Sequence, residues 1–285
     1  MPAVAAGMHG CQHACVSNRP RVIAHRGASE VEAEHTLAAY QRALLDGADG
    51  LECDVRLTRD GVLVCVHDRR IDRTSSGSGV VSTLELSDLA ELDFGSWHAG
   101  SGRVARTANE APDWDRTSVL TLGRLLEVVA DSGRPVELAI ETKHPTRYAG
   151  LVELTLVELL AHHGLVRPRR EAPVQARVMS FASSSLRRLR QLAPGLPTVY
   201  LMDRLPLLAR DGRLPVGTVA AGPSLRALRA HPEYVERAHA AGAEVHVWTV
   251  DEPVDVEFVC ELGVDVVITN RPLATLRQLE DAAAR

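Results

Sequence analysis

Short apolar runs rich in β-branched residues alternate along this chain with longer amphipathic stretches. Residues 21–24 (RVIA) read as a buried strand ending at His25. Leu37, Tyr40 and Leu44 form a helical stripe behind a capping Thr36, which predicts a helix over 36–46 closed by Gly47. A strand over 51–58 follows, then an Asp60-Gly61 turn and an extended segment over 62–66 that ends at His67. From residue 122 the rhythm becomes regular. Helices are predicted over 122–130, 151–162, 185–192, 234–241, 254–262 and 273–284, and strands over 136–142, 177–181, 198–202, 217–221, 244–250 and 264–269. Strands alternating with helices pair in parallel through right-handed crossovers. Eight strands, at positions 22, 51, 137, 178, 198, 218, 245 and 265, predict an α/β fold of the closed (β/α)8 TIM-barrel class. An open doubly wound sheet would favour a G-x-G-x-x-G first turn, and His25-Arg26-Gly27-Ala28 is not one.

Periodicity fails between residues 69 and 118, where Gly, Ser, Trp, His and Asp mix around a Ser75–Gly79 loop (SSGSG). Aperiodic stretches of this length are usually functional or a small subdomain. The expected organisation is therefore an unstructured extension over 1–20 and one barrel domain over 21–285, with a small insertion at about 69–118 after the second strand. Cys11 and Cys15 lie near His9 and His13 in the extension, where a small metal knot is the alternative to disorder.

Bulk properties narrow the function. The chain has 285 residues, 45% hydrophobic, enough to bury a full core without staples. A net charge of -5 argues against a general nucleic-acid binder, so a phosphate site would need local positive charge from Arg, Lys or a bound cation. The odd count of 5 cysteines forms no disulfide framework, which favours a reducing compartment. There is neither an 18-residue apolar stretch nor a secretory pattern at the N-terminus, so the expectation is a cytoplasmic protein without a membrane span.

The chemistry concentrates where strands end. In a parallel barrel, catalytic groups gather at the C-terminal face. His25 ends the first strand. Glu52 and Asp54, two apart on the second, share a face. His67 ends the following segment, and Glu141 and Lys143 close the next strand. Two carboxylates on one face repel unless a cation lies between them. With Glu141 they make a three-carboxylate set suited to one hard divalent cation, Mg²⁺ or Ca²⁺. His25 and His67 beside that set suit acid and base, and Arg26 and Lys143 suit a phosphoryl group. Trp248 is expected to wall the substrate. His246 is read as structural, His144 and other scattered histidines as surface or loop groups, and the arginines at 167–170, 187, 188 and 190 as a solvated face.

These residues carry a resemblance. His25-Arg26-Gly27-Ala28-Ser29, Glu34-His35-Thr36, Gly47-Ala48-Asp49-Gly50-Leu51-Glu52-Cys53-Asp54, His67-Asp68, Ile71-Asp72-Arg73-Thr74, Glu141-Thr142-Lys143, Val247-Trp248-Thr249 and Thr269-Asn270-Arg271-Pro272 resemble the glycerophosphodiester phosphodiesterase family. The resemblance implies a TIM barrel that hydrolyses small-molecule glycerophosphodiesters to an alcohol and sn-glycerol 3-phosphate. It implies a divalent cation at Glu52, Asp54 and Glu141 and acid/base work at His25 and His67, with Glu34 in support. Three positions depart from the family pattern: His35 stands where an amide is usual, Cys53 where an aliphatic residue is usual, and Asn270 where Asp is common. Two rival functions use the same scaffold. A phospholipase D-like barrel acting on intact lipids would want an exposed apolar rim. A non-catalytic polyol-phosphate binding protein would be expected to lack a histidine or a carboxylate of the set.

Overall fold

The computed structural model describes residues 19–98, 117–148, 150–167 and 174–284. Cys11, Cys15 and most of the expected extension lie outside the described residues, as do residues 99–116 of the insertion.

The predicted barrel is what the chain forms. β1 (Arg21–His25) pairs in parallel with β2 (Gly50–Leu57) on one side and β9 (Val266–Thr269) on the other. Between them run β4 (Val136–Thr142), β5 (Val174–Ser180), β6 (Thr198–Met202), β7 (Ala220–Pro223) and β8 (Glu244–Val247), all parallel. β3 (Leu63–Cys65) folds back antiparallel onto β2 and stands outside the barrel. It carries the chain into the insertion, where Val64, Val66, Ile71, Val81, Leu89 and Phe94 form a small separate core around α2 (Leu86–Ala90).

Outer helices cover the strands: α1 (Leu37–Leu45), α3 (Leu122–Ala130), α4 (Leu151–His162), α5 (Ser183–Leu192), α6 (Leu225–Ala230), α7 (Tyr234–Ala240), α8 (Pro253–Glu261) and α9 (Pro272–Ala283). Thr36 caps α1 as expected, its hydroxyl accepting from the Ala39 amide at 3.2 Å. α6 was not expected. Six residues are too few for a visible period, although Ser224 caps it by accepting from Ala227 N at 3.1 Å. β7 starts later than predicted because Gly217, at φ +85°, still belongs to a turn.

Strand alternation sorts the barrel interior into layers. At its floor, Arg177 binds Glu137 at 2.5 Å and Glu244 at 2.9 Å, and Arg21 binds the same two carboxylates. Fully buried His246 lies 3.0 Å from Glu244, which bears out its structural reading. Above this floor Ile23, Ala139, Met179, Val199, Leu201, Ala220, Val266 and Ile268 make an apolar plug. Gly50 belongs to this level, where a Cβ would meet the Glu137 carbonyl oxygen and Ile23 Cδ1, each at 2.4 Å. Residues two further along each strand then reach the mouth: His25 from Ile23, Glu52 from Gly50, Glu141 from Ala139.

His144, read as a surface or loop group, and Arg188, read as part of a solvated face, share a buried partner. Glu153, fully buried on α4, is held by Arg188 at 2.9 Å and His144 at 3.3 Å. His144 and Arg188 are needed there because an unpaired buried carboxylate would be costly. Burial opposes ionisation of Glu153, but the His144 and Ser185 bonds outweigh it and hold the pKa at about 2. A depressed carboxylate stabilises the fold above its unfolded pKa, and that contribution fades as pH falls toward the folded value. Glu153→Gln should therefore destabilise the fold by about 1–3 kcal/mol at pH 7. In urea unfolding, the gap from wild type should narrow as pH falls from about 5 toward 3. A gap that stayed constant over that range would contradict this role.

Candidate active site

The mouth of the barrel holds the expected side chains together. One carboxylate oxygen from each of Glu52, Asp54 and Glu141 lies within 4.8 Å of the others, and all three residues are buried. Register makes this so: His25 pairs with Glu52 across β1–β2, and Asp54 with Glu141 across β2–β4. Cys53, between the two carboxylates, points outward into the helix-facing core, so its departure leaves the site untouched.

Each carboxylate has a different set of partners. Asp54 is ion-paired with Arg26 Nε at 3.0 Å and Lys143 Nζ at 3.3 Å, and His35 Nε2 lies 2.9 Å from it. Burial opposes its charge, but His35, Lys143 and Arg26 together hold it well below the usual carboxylate range. Glu141 has Lys143 at 2.8 Å, yet burial and then Asp54 push it up to about 8. Glu52 accepts the Arg26 amide at 3.0 Å, and burial followed by Asp54 raises it well above its ordinary value. Arg26 and Lys143 thus face three carboxylates with two positive charges. Hard oxygen donors short of positive charge fit a divalent cation. The three carboxylates could hold it, with Asp54 anchored from behind.

His25 and His67 open onto one cavity of about 120 Å³, which Arg26, Glu52, Glu141, Lys143, Phe181 and Trp248 also line. Their supports differ. Asn270 Nδ2 donates to Asp251 at 2.7 Å, which fixes the amide and turns Asn270 Oδ1 toward His25 Nδ1 at 2.7 Å. His25 therefore carries its proton on Nδ1 and keeps Nε2 as an acceptor. Burial, then Arg26, lower its pKa to about 4, so it is neutral at pH 7. His67 Nδ1 instead binds a carboxylate, Asp68, at 2.7 Å. Arg73 braces Asp68 at 2.6 Å and Glu34 at 2.8 Å. Burial lowers His67 too, while Asp68 pulls the other way.

Several of these residues were not singled out from sequence. Asp251 and Arg73 act behind the histidines. Phe181 meets Trp248 edge-on with ring centroids 5.4 Å apart, so the tryptophan expected to wall the substrate stands in an aromatic pair. Trp248 Nε1 donates to Gly222 O at 2.8 Å, which fixes the ring. His35 was noted only as a departure, and it is buried against Asp54, with Nδ1 2.8 Å from the Tyr40 hydroxyl. His35 and Arg26 adopt left-handed backbone, φ 60° and 58°. Such strain in non-glycine residues collects at functional sites. Gly27 between them adopts φ +87°, and a Cβ there would meet the Ala39 backbone at 2.6 Å.

Comparison with known proteins places this geometry. The model of the glycerophosphoryl diester phosphodiesterase family matches residues 25–274. The chain belongs to that family. It is 48% identical over 269 residues, 94% of the chain, to a Mycobacterium tuberculosis protein named "Probable glycerophosphodiester phosphodiesterase 1", of which it covers 96%. It is 34% identical to a Bacillus subtilis glycerophosphodiester phosphodiesterase, over 90% of the chain and 85% of that relative. A crystal structure of an Agrobacterium tumefaciens glycerophosphodiester phosphodiesterase superposes with a TM-score of 0.68 at 25% identity, covering 90% of this chain and 99% of the other.

Within this family framework, His35 gives a direct test of how the carboxylates are held. His35→Leu removes one partner each from Asp54 and Tyr40 and should cost about 1–3 kcal/mol of stability without added metal. Thermal unfolding in chelator measures it. A melting temperature within about one degree of wild type would show that Asp54 does not depend on this bond.

Proposed function

We propose that the chain is a metal-dependent glycerophosphodiester phosphodiesterase, releasing an alcohol and sn-glycerol 3-phosphate. The observation that carries this is that His25 and His67 share one cavity with Glu52 and Glu141, two of the three clustered carboxylates, in a chain of this family. Glu52, Asp54 and Glu141 would hold the cation. Bound there, it would supply positive charge for phosphoryl oxygens and for the attacking hydroxyl.

The remaining chemistry belongs to side chains. Arg26 and Lys143 line the cavity and are suited to the scissile phosphoryl group, whose charge grows as the attacking oxygen adds. Phe181 and Trp248 offer an apolar edge for the glycerol carbons. In the first half, the 2-hydroxyl attacks phosphorus. The new O–P bond forms as the bond to the alcohol breaks, giving a cyclic phosphate. His25 takes the hydroxyl proton on Nε2, since burial and Arg26 keep the ring neutral and Asn270 holds its proton on Nδ1. His67 protonates the departing alcohol, since Asp68 favours its imidazolium. In the second half, water opens the ring with the roles exchanged.

The activity test is a coupled glycerol-3-phosphate assay. Chelator should abolish turnover, and Mg²⁺, Ca²⁺ or Mn²⁺ should restore it. His25→Ala and His67→Ala should each lower turnover by roughly 10²- to 10⁴-fold without weakening metal binding. Full activity in excess chelator would sink the metal assignment. A histidine variant with near-wild-type turnover would sink the acid/base pair.

A further inference from the structure

A second cavity, of about 270 Å³, adjoins the first. Arg56, Arg69 and Arg147 line it with Tyr148, and Lys143 lines both cavities. Most other arginines around the mouth hold a carboxylate: Arg26 and Arg73 bind Glu34, Arg59 binds Glu85, and Arg70 binds Asp72. Among the described residues, Arg56, Arg69 and Arg147 have no carboxylate within ion-pair distance. Three guanidinium groups without an ion-pair partner share one hollow, in a chain whose net charge is -5.

The cavity is also built rather than incidental. Arg56 gives Nε and Nη2 to the His67 carbonyl at 3.0 and 2.7 Å. Val81 N donates to Arg69 O at 3.1 Å, which sets Arg69 against the 80–82 segment. Tyr148 Oη donates to Ser82 O at 3.0 Å, joining the loop after β4 to that same segment. Arg147 lies over the Tyr148 ring, 5.6 Å from its centroid. Guanidinium groups match the oxygens of a phosphate.

Resting on the phosphodiesterase reading above, we propose that this hollow is a subsite for a second anionic group, carried on the alcohol arm of the substrate. Glycerol packs against Trp248 and Phe181, the scissile phosphoryl lies between the histidines, and the alcohol arm extends past Lys143 toward the three arginines. The preferred alcohol is then a polyol bearing its own phosphate. Cationic head groups are disfavoured by the same charge.

The test uses a matched pair of substrates, glycerophosphoinositol and glycerophosphoinositol 4-phosphate, which differ only by that phosphate. Wild type should show a kcat/KM at least about tenfold higher for the phosphorylated member, mostly through KM. The double variant Arg69→Gln/Arg147→Gln should lower that ratio by roughly tenfold. Arg56 stays intact because it holds the His67 carbonyl. A wild-type ratio near one, or a ratio the double variant does not move, would overturn the subsite. Calorimetry with free inositol 4-phosphate gives a second arm that needs no turnover: its Kd should rise about tenfold in the double variant, and equal Kd values would overturn the proposal. Failure to hydrolyse either diester would sink the phosphodiesterase reading, and the calorimetric arm would still decide the subsite.

Discussion

Negative charge buried at the barrel mouth is the constraint around which this molecule is arranged. Glu52, Asp54 and Glu141 are all but removed from water, and like charges that close raise one another's cost of ionisation. Two cations from the chain, Arg26 and Lys143, meet part of that cost. The rest of the site follows from what remains. Arg26 and His35 accept left-handed backbone to reach Asp54, and Gly27 provides the tight turn between strand and helix that lets them do so. An apolar plug separates this layer from a second, partly buried ion network at the floor, so each charged layer is satisfied on its own terms.

The two histidines meet different partners from behind. Both present Nε2 to the cavity because their Nδ1 atoms are engaged from behind. One engagement is a neutral amide fixed by Asp251, and the other is a carboxylate fixed by Arg73. Neighbours that differ by a full charge separate the two proton affinities.

The barrel was legible in sequence because its strands are buried on both faces and its helices carry a clear stripe. Period-two alternation also made Glu52, Asp54 and Glu141 legible as one layer. What escaped was set by tertiary contact. Nothing local distinguishes His144 and Arg188 from surface residues until α4 and α5 pack and bring them to Glu153. His35 read as an oddity of helix entry, since its reach to Asp54 depends on a backbone conformation that no periodicity reveals. Asp251 and Asn270 lie 19 residues apart and meet only because β8 and β9 are neighbours. The fold of β3 back onto β2 was likewise visible only as an extended segment of unspecified direction.

The most direct measurement is a calorimetric titration of the chelator-treated chain with Mg²⁺, Ca²⁺ and Mn²⁺, paired with thermal unfolding at each metal concentration. A buried set of three carboxylates short of one partner should take up one cation per chain. The melting temperature should climb with free metal as binding to the folded state demands. Glu52→Gln and Glu141→Gln should weaken that uptake. Absence of saturable binding, or binding that leaves the melting temperature unmoved, would contradict the view that this barrel mouth is organised around a cation.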